Sequence, residues 1–171
     1  GQEVRDGRGW GRLGGMVLHG KAGMQCVCME AYYPCQGAGD EEGGRMWDRQ
    51  WQGMEGLEGM GVMGRKKGQN NPRTQLTKDL QEVWVGMANR GAAIVAHLDA
   101  NLPVRRGDCK NGEQRDEWDS LHKALKEADM ICLCKEVWGD RGGVWSYKGK
   151  GREGGAIQLA MLGAAPLCGT A

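Results

Sequence analysis

Glycine is distributed very unevenly along this chain, and its distribution limits where regular structure can form. Of the 31 glycines, 18 lie in residues 1–72, five in 73–140 and eight in 141–171. Glycine in the interior of a helix or strand is destabilising by about 0.5–1 kcal/mol relative to alanine. We therefore expect the most secure structure in the middle of the chain, with long glycine-rich loops on either side.

The glycine-poor middle carries two apolar patterns with helical spacing. The first consists of Leu80, Val83, Met87, Ile94 and Leu98. The second consists of Trp118, Leu121, Leu125 and Cys132. They predict helices over 75–100, ending before Pro103, and over 116–138, ending at Gly139. The predicted fold class is all-α: an antiparallel helical hairpin or small bundle with long Gly-rich loops, disulfide-linked.

Further helices are predicted over 16–33 and 156–165, with loop or frayed helix over 36–70. The chain is expected to divide at residue 72. Residues 1–72 form a Gly-rich, partly disordered segment that holds the tail of a preceding repeat unit, and 73–171 form a helical Cys-containing module.

One stretch of sequence occurs twice. AGMQCVCMEAYY at 22–33 and ADMICLCKEVWG at 128–139 share Ala, Met, two Cys, Glu and an aromatic residue at the same offsets. Internal similarity is typical of one structural unit used twice. We expect both copies to be the last turns of a helix, with Cys26 and Cys132 facing the core in equivalent places.

The seven cysteines are typical of an extracellular domain held by disulfides. The disulfide candidates are Cys26, Cys28, Cys35, Cys109, Cys132, Cys134 and Cys168. A bond from Cys109 to either Cys132 or Cys134 is favoured, because a helical hairpin brings its loop back near the second helix. The odd count leaves one thiol free or paired outside this chain.

Two other uses of the cysteines remain open. A metal site would pool Cys26, Cys28, Cys132 and Cys134 with His19, although zinc modules usually use Cys-x2-Cys on a tight turn. A thiol catalyst would need a thiol of low pKa beside a base, for which His97 and His122 are the candidates.

Composition excludes several classes of protein. Lys plus Arg is 23 against 22 Asp plus Glu, so no polyanion-binding face is indicated and nucleic acid is not an expected partner. The longest uncharged run is 156–171, shorter than the roughly 20 apolar residues of a membrane span, so this segment is not expected to insert. Paired carboxylates, a Ser-His-Asp set and an HExxH string are not apparent, so we expect no enzyme, no cofactor and no metal.

The middle of the chain resembles the Cys-rich extracellular modules of the schizont-infected cell agglutination (SICA) variant antigens of malaria parasites. The resemblance rests on Leu80-Gln-Glu-Val-Trp84, Cys109, the segment from Cys132 to Trp138, and Cys168. It covers 73–168, with 16–35 as the tail of a previous module. The segment 128–134 is also similar to part of the variant surface glycoproteins of African trypanosomes. The single Cys expected at the end of the second helix is replaced by Cys-x-Cys.

These resemblances imply a non-enzymatic parasite surface antigen with a role in host adhesion or immune evasion. The chain would be a fragment of a longer protein, extracellular or at the cell surface, with host or self proteins as partners. One alternative is an intracellular helical metal-binding protein that uses its Cys-x-Cys pairs. Another is a poorly folded fragment without independent function.

Overall fold

A computed structural model describes residues 1–34, 42–57, 71–103, 105–132 and 160–163. The strands are β1 (Gln2–Arg5), β2 (Leu13–His19), β3 (Gln25–Tyr32), β4 (Ala93–Asp99), β5 (Met130–Cys132) and β6 (Ala160–Gly163). The helices are α1 (Glu42–Leu57), α2 (Pro72–Ala88) and α3 (Gly112–Glu127), with single 3₁₀ turns at Lys21–Gly23 and Arg106–Asp108.

The six strands form one mixed sheet in the order β1-β2-β3-β4-β6-β5. β1, β2 and β3 are consecutive antiparallel neighbours. β3 and β4 are parallel, and α1 and α2 lie between them in the sequence. β6 runs antiparallel to both β4 and β5. The two central strands are therefore a parallel pair, whose carboxyl ends meet at one end of the sheet.

Helices α2 and α3 pack on one face of this sheet, and α1 contacts α2. Buried side chains alternate along β3 and β4, which is the pattern of strands covered on one side. These side chains are Val27, Met29 and Ala31 in β3, and Ile94, Ala96 and Leu98 in β4. They form one core with Leu76, Leu80 and Trp84 of α2, and with Leu121 and Leu125 of α3. No element in the described part of the chain covers the opposite face.

Asparagines begin the two helices that build this core. The side chain of Asn71 accepts a hydrogen bond from the Thr74 amide at the start of α2, and Pro72 occupies its first turn. The side chain of Asn111 accepts one from the Gln114 amide at the start of α3. Each cap satisfies an amide that has no partner within the helix.

The prediction of an all-α fold is wrong. The first predicted helix ends at Ala88, and the chain turns through Gly91, at φ +73°, into strand β4. Ile94 and Leu98 are four residues apart, a spacing that fits one face of a helix and also one face of a strand. Ala96 between them is buried and His97 is exposed, so the true period is two. The apolar spacing alone was ambiguous.

The other predicted helices are also corrected. Residues 16–33 contain most of β2 and all of β3, 156–165 contain β6, and the helix predicted over 116–138 ends at Glu127 before β5. Within the region expected to be loop or frayed helix, 42–57 form α1. Leu80, Leu121 and Leu125 are buried as predicted, whereas Val83 and Met87 are only partly buried and Trp118 is half-buried.

The repeated stretch is a turn leading into a strand in both copies. Gly23 (φ +77°) and Asp129 (φ +52°) occupy equivalent positions, and a strand follows each. The expected helix ends are therefore wrong. The burial of the next residue differs between the two copies, because Met24 is 60% exposed and Met130 is 6% exposed. β3 is central in the sheet and β5 is its last strand, so the two copies do not occupy equivalent places.

Strands from both sides of residue 72 join in one sheet, since β3 pairs with β4. Among the helices that the structure describes, none has the length and apolar character needed to cross a lipid bilayer.

Candidate active site at the carboxyl ends of the parallel strands

A cleft of about 350 Å³ lies where β2 begins and where β3 and β4 end. Its lining consists of Gly11, Arg12, Leu13, Gly14, Glu30, Ala31, Tyr32, His97 and Asp99. Ligands of open α/β sheets bind outside the carboxyl ends of the strands. The cleft occupies that position for the parallel pair.

Four chemically active side chains form a two-by-two array on this end of the sheet. Glu30 of β3 is the Cα partner of His97 of β4, and Tyr32 is the partner of Asp99. Their neighbours along the strands, Ala31 and Leu98, are buried in the core. The four side chains therefore project from the opposite, open face.

Sheet geometry brings these groups within reach of one small molecule. Adjacent strands lie about 4.8 Å apart, and residues two apart on one strand are separated by roughly 6.6 Å. A molecule in the cleft can thus meet the carboxylates of Glu30 and Asp99, the imidazole of His97 and the phenol of Tyr32 together. Carboxylates and imidazole are the usual groups for general acid–base work.

Glycine keeps the cleft open beside the array. Gly14 of β2 is the Cα partner of Glu30, and a Cβ atom added at Gly14 would meet nothing within 4 Å. The space next to the Glu30 carboxylate is therefore empty because residue 14 has no side chain.

The strand ends are tied together by backbone and side-chain hydrogen bonds. The Tyr33 amide donates to the Asp99 carbonyl at 2.9 Å, and the Tyr32 amide donates to the Arg12 carbonyl at 2.8 Å. Asn101, in a left-handed conformation at φ +49°, donates from its side chain to the Tyr33 carbonyl at 2.9 Å. These bonds fix the positions of Tyr32 and Asp99.

A buried polar network locks the end of β3 to the two core helices. Tyr33 is fully buried and its hydroxyl is 2.9 Å from the hydroxyl of Thr77. Arg73 donates to the Pro34 carbonyl and to the Glu117 carboxylate, each at 2.9 Å. Burial raises the pKa of Tyr33 well above its usual value. Tyr33 therefore supports the site as a neutral hydrogen-bonding group rather than as an acid.

An ion network lies next to the cleft and includes the lining residue Arg12. The Arg12 guanidinium is fully buried, donates twice to Asp6 and once to Asp79, and lies 4.6 Å from the Trp10 ring centre. Arg8 also pairs with Asp79 at 2.9 Å. The charge of Arg12 is therefore engaged by two carboxylates, and this network holds the loop before β2 against α2.

The disulfide-linked fold predicted from the cysteines is wrong for the described part of the chain. Cys26, Cys28 and Cys109 are free thiols. Cys109, the residue favoured for a bond to Cys132 or Cys134, is buried, and burial raises its pKa. The side chain of Cys132 and all of Cys35, Cys134 and Cys168 lie outside the described residues.

The structure does not bring together the cysteines of the pooled metal site. β5, which holds Cys132, is three strands away from β3, which holds Cys26 and Cys28. Three strand spacings are roughly 14 Å, far more than one ion can bridge. His19 is exposed at the far end of β2. Across the described ranges, no group of three or more His, Cys, Asp or Glu could enclose a metal ion unaided.

The thiol-catalyst interpretation is not supported either. A reactive thiol needs a lowered pKa, whereas burial, reinforced by the neighbouring Cys28, raises the pKa of Cys26. His122 stacks on Trp118 with ring centres 3.4 Å apart and contacts the Trp118 carbonyl through Nδ1 at 2.9 Å. Of the two histidines considered as bases, only His97 lies in the cleft.

Glu30, Tyr32 and Asp99 were not predicted as site residues from the sequence. Two signals were available: Glu30 and Tyr32 follow buried apolar positions by one residue, and Asp99-Ala-Asn101 follows the alternating run 93–98. Polar residues at the end of an apolar run are typical of a site at the carboxyl edge of a sheet.

Comparisons with models of known protein families and with curated protein sequences gave no match.

Proposed function

We propose that this chain is a hydrolase domain that cleaves phosphate esters with the help of a divalent cation of the Mg²⁺ class. The observation that carries the proposal is the grouping of Glu30, His97 and Asp99 in one open cleft at the carboxyl ends of the two parallel strands. Such a grouping offers carboxylate ligands and an acid–base residue side by side.

The divalent cation is proposed because of the charges in the cleft. A phosphate placed directly beside Glu30 and Asp99 would be repelled, and the guanidinium of Arg12, one of the lining residues, is already paired with Asp6 and Asp79. Mg²⁺ is usually held by one or two carboxylates, with water and substrate phosphate as its other ligands. The pair Glu30 and Asp99 matches that requirement without a complete protein cage.

Each side chain has a definite role in the proposed reaction. Glu30 and Asp99 would hold the cation, which would supply Lewis-acid stabilisation of the charge that develops on the substrate phosphate. His97 accepts a proton from the attacking water as the new phosphorus–oxygen bond forms. The bond to the leaving alkoxide breaks, and the alkoxide takes a proton from solvent. Tyr32 donates a hydrogen bond to a phosphate oxygen.

The reaction class can be tested with purified chain and three chromogenic substrates: bis(p-nitrophenyl) phosphate, p-nitrophenyl phosphate and a p-nitrophenyl glycoside. We expect release of nitrophenol from a phosphate substrate with Mg²⁺ and none after chelation. Turnover of the glycoside alone, unaffected by chelation, would replace the proposal with the other chemistry open to two carboxylates, glycoside hydrolysis.

The non-enzymatic surface antigen stays a prediction, as do its extracellular or cell-surface location and its host or self protein partners. Its basis was a helical, disulfide-linked repeat, and the described residues contain strands at the repeat and free thiols at Cys26, Cys28 and Cys109. A folded chain without turnover of any of the three substrates would favour the antigen over the enzyme.

A further inference from the structure

A second group of side chains lies on the open face, away from the cleft. Cys26 and Cys28 are two apart on β3, and both are half-buried on the face opposite Val27 and Met29. Met16 of β2 is the Cα partner of Cys28, and Leu18 is the partner of Cys26. Met16 is 53% exposed. Three sulfur-bearing side chains therefore share one patch of the sheet.

The geometry allows the three sulfurs to converge. Cys26 and Cys28 project from the same face of β3, where residues two apart are separated by roughly 6.6 Å along the strand. Directly opposed residues on antiparallel strands have Cβ atoms about 4.5–5.5 Å apart, so the flexible Met16 side chain can bring its thioether to the Cys28 sulfur. Neither thiol is used in a disulfide.

The chemistry of these ligands selects the kind of ion. Thiolate and thioether sulfur are soft ligands that favour Cu(I), whereas carboxylate and water suit Mg²⁺ and Ca²⁺. The surroundings are apolar on two sides, with Leu18 opposite Cys26 and Val95 of β4 opposite Cys28. The next residue along this face, Glu30, belongs to the cleft.

We propose that Cys26, Cys28 and Met16 form a binding site for a soft monovalent cation, with Cu(I) as the natural probe. Both cysteines bind as thiolates, so one bound Cu(I) displaces two thiol protons into solvent and leaves a site of net charge −1. No oxidation or reduction is involved. This site is independent of the proposed hydrolase cleft.

Competition between protons and the ion makes binding depend on pH. Each cysteine must lose its proton before it binds the ion as a thiolate. The affinity for Cu(I) should therefore increase as the pH rises from 6 to 8.

The test is an anaerobic titration of the full reduced chain with Cu(I), in competition with a chromogenic Cu(I) chelator. We expect the double variant Cys26→Ser/Cys28→Ser to lose one tightly bound Cu(I), and each single variant to bind that ion at least 100-fold more weakly. Cys109→Ser is the matched control and should keep it, because Cys109 lies outside the patch. Equal stoichiometry and affinity in wild type and the double variant would overturn the proposal.

Met16→Leu tests the thioether without endangering the fold, because the side chain is exposed. The affinity of this variant for Cu(I) should fall about tenfold. X-ray absorption of the copper-loaded chain should show three sulfur neighbours of the copper in wild type and two in the variant. Two sulfur neighbours in both proteins would remove Met16 from the site. Tighter binding of Zn²⁺ than of Cu(I), measured by the same competition, would overturn the assignment of the ion class.

Discussion

Glu30 of β3 and His97 of β4 are directly paired at the centre of the sheet, on the face that the helices leave open. His97 lies 67 positions after Glu30 in the sequence and becomes its immediate neighbour, because α1 and α2 connect β3 to the parallel strand β4. The pairing places a carboxylate next to an imidazole at the mouth of a cleft. The proposed chemistry depends on that register.

Filling the cleft should lower the hydrolysis rate without unfolding the protein. Gly14→Leu places an aliphatic side chain beside Glu30, where an added Cβ meets nothing within 4 Å. We expect the hydrolysis rate to fall at least tenfold while the urea unfolding midpoint stays nearly constant. Gly7→Ala, also in open space but away from the cleft, is the control. Full activity in Gly14→Leu would place the reaction elsewhere.

The next glycine should respond in the opposite way. A Cβ at Gly15 would lie 2.4 Å from the Cys28 carbonyl oxygen and 2.8 Å from the Met29 Cα. Because those atoms are backbone, Gly15→Ala should cost about 1–3 kcal/mol of unfolding free energy. Gly86→Ala in α2, with no atom nearby, should instead stabilise by about 0.5–1 kcal/mol. Urea unfolding measures both, and an unchanged Gly15→Ala variant would show that β2 and β3 are not this close.

The buried guanidinium beside the cleft should contribute strongly to stability. Arg12→Ala leaves Asp6 and Asp79 without their shared partner, and breaking a buried ion pair from one side costs about 3–5 kcal/mol. Among the described residues, the exposed Arg5 pairs with exposed Glu3, so Arg5→Ala should produce no measurable change. Chemical denaturation measures the unfolding free energy of each variant, and equal values for Arg12→Ala and Arg5→Ala would contradict the buried network.

The same network predicts sensitivity to acid. Burial alone raises the pKa values of Asp6 and Asp79, but hydrogen bonds from the arginines and neighbouring groups outweigh it, so both pKa values lie below normal. Their stabilisation is therefore complete above the unfolded pKa of about 3.9 and is lost as the pH falls through the lower folded value.

Unfolding free energies measured between pH 7 and pH 3 should fall most steeply below about pH 4. Asp79→Asn should be less stable than wild type at pH 7 and should lose less on acidification. Asp48→Asn, at an exposed position of α1, is the control. Parallel pH curves for wild type and Asp79→Asn would contradict this account.

The sequence predicted part of the core and little of the fold. The 3.6-residue spacing of Leu121 and Leu125 correctly marked the buried side of α3. The spacing of Ile94 and Leu98 failed because it also fits a strand, and the decisive residue between them, Ala96, carries little hydrophobic signal. Gly14 and Gly15 belong to the segment 1–72 that was expected to be partly disordered, although both residues lie within β2.

The candidate site could not be predicted from the sequence, for a different reason. Motif searches look for residues at short spacing, whereas Glu30 becomes the neighbour of His97, and Tyr32 that of Asp99, only through the parallel pairing of β3 and β4. No local pattern reports that register. The number of cysteines suggested disulfides, but a disulfide also requires two thiols in a suitable geometry, and the count carries no information on which thiols face each other.

The proposed hydrolysis of phosphate esters by Glu30, His97 and Asp99 is tested most directly by the initial rate of Mg²⁺-dependent bis(p-nitrophenyl) phosphate hydrolysis in matched variants. Glu30→Gln, Asp99→Asn and His97→Gln should each lower the rate by about 100-fold or more. Glu82→Gln and His19→Gln, at exposed positions outside the cleft, should leave it unchanged. Equal rates in wild type and all three cleft variants, or a rate unaffected by removal of Mg²⁺, would contradict the account.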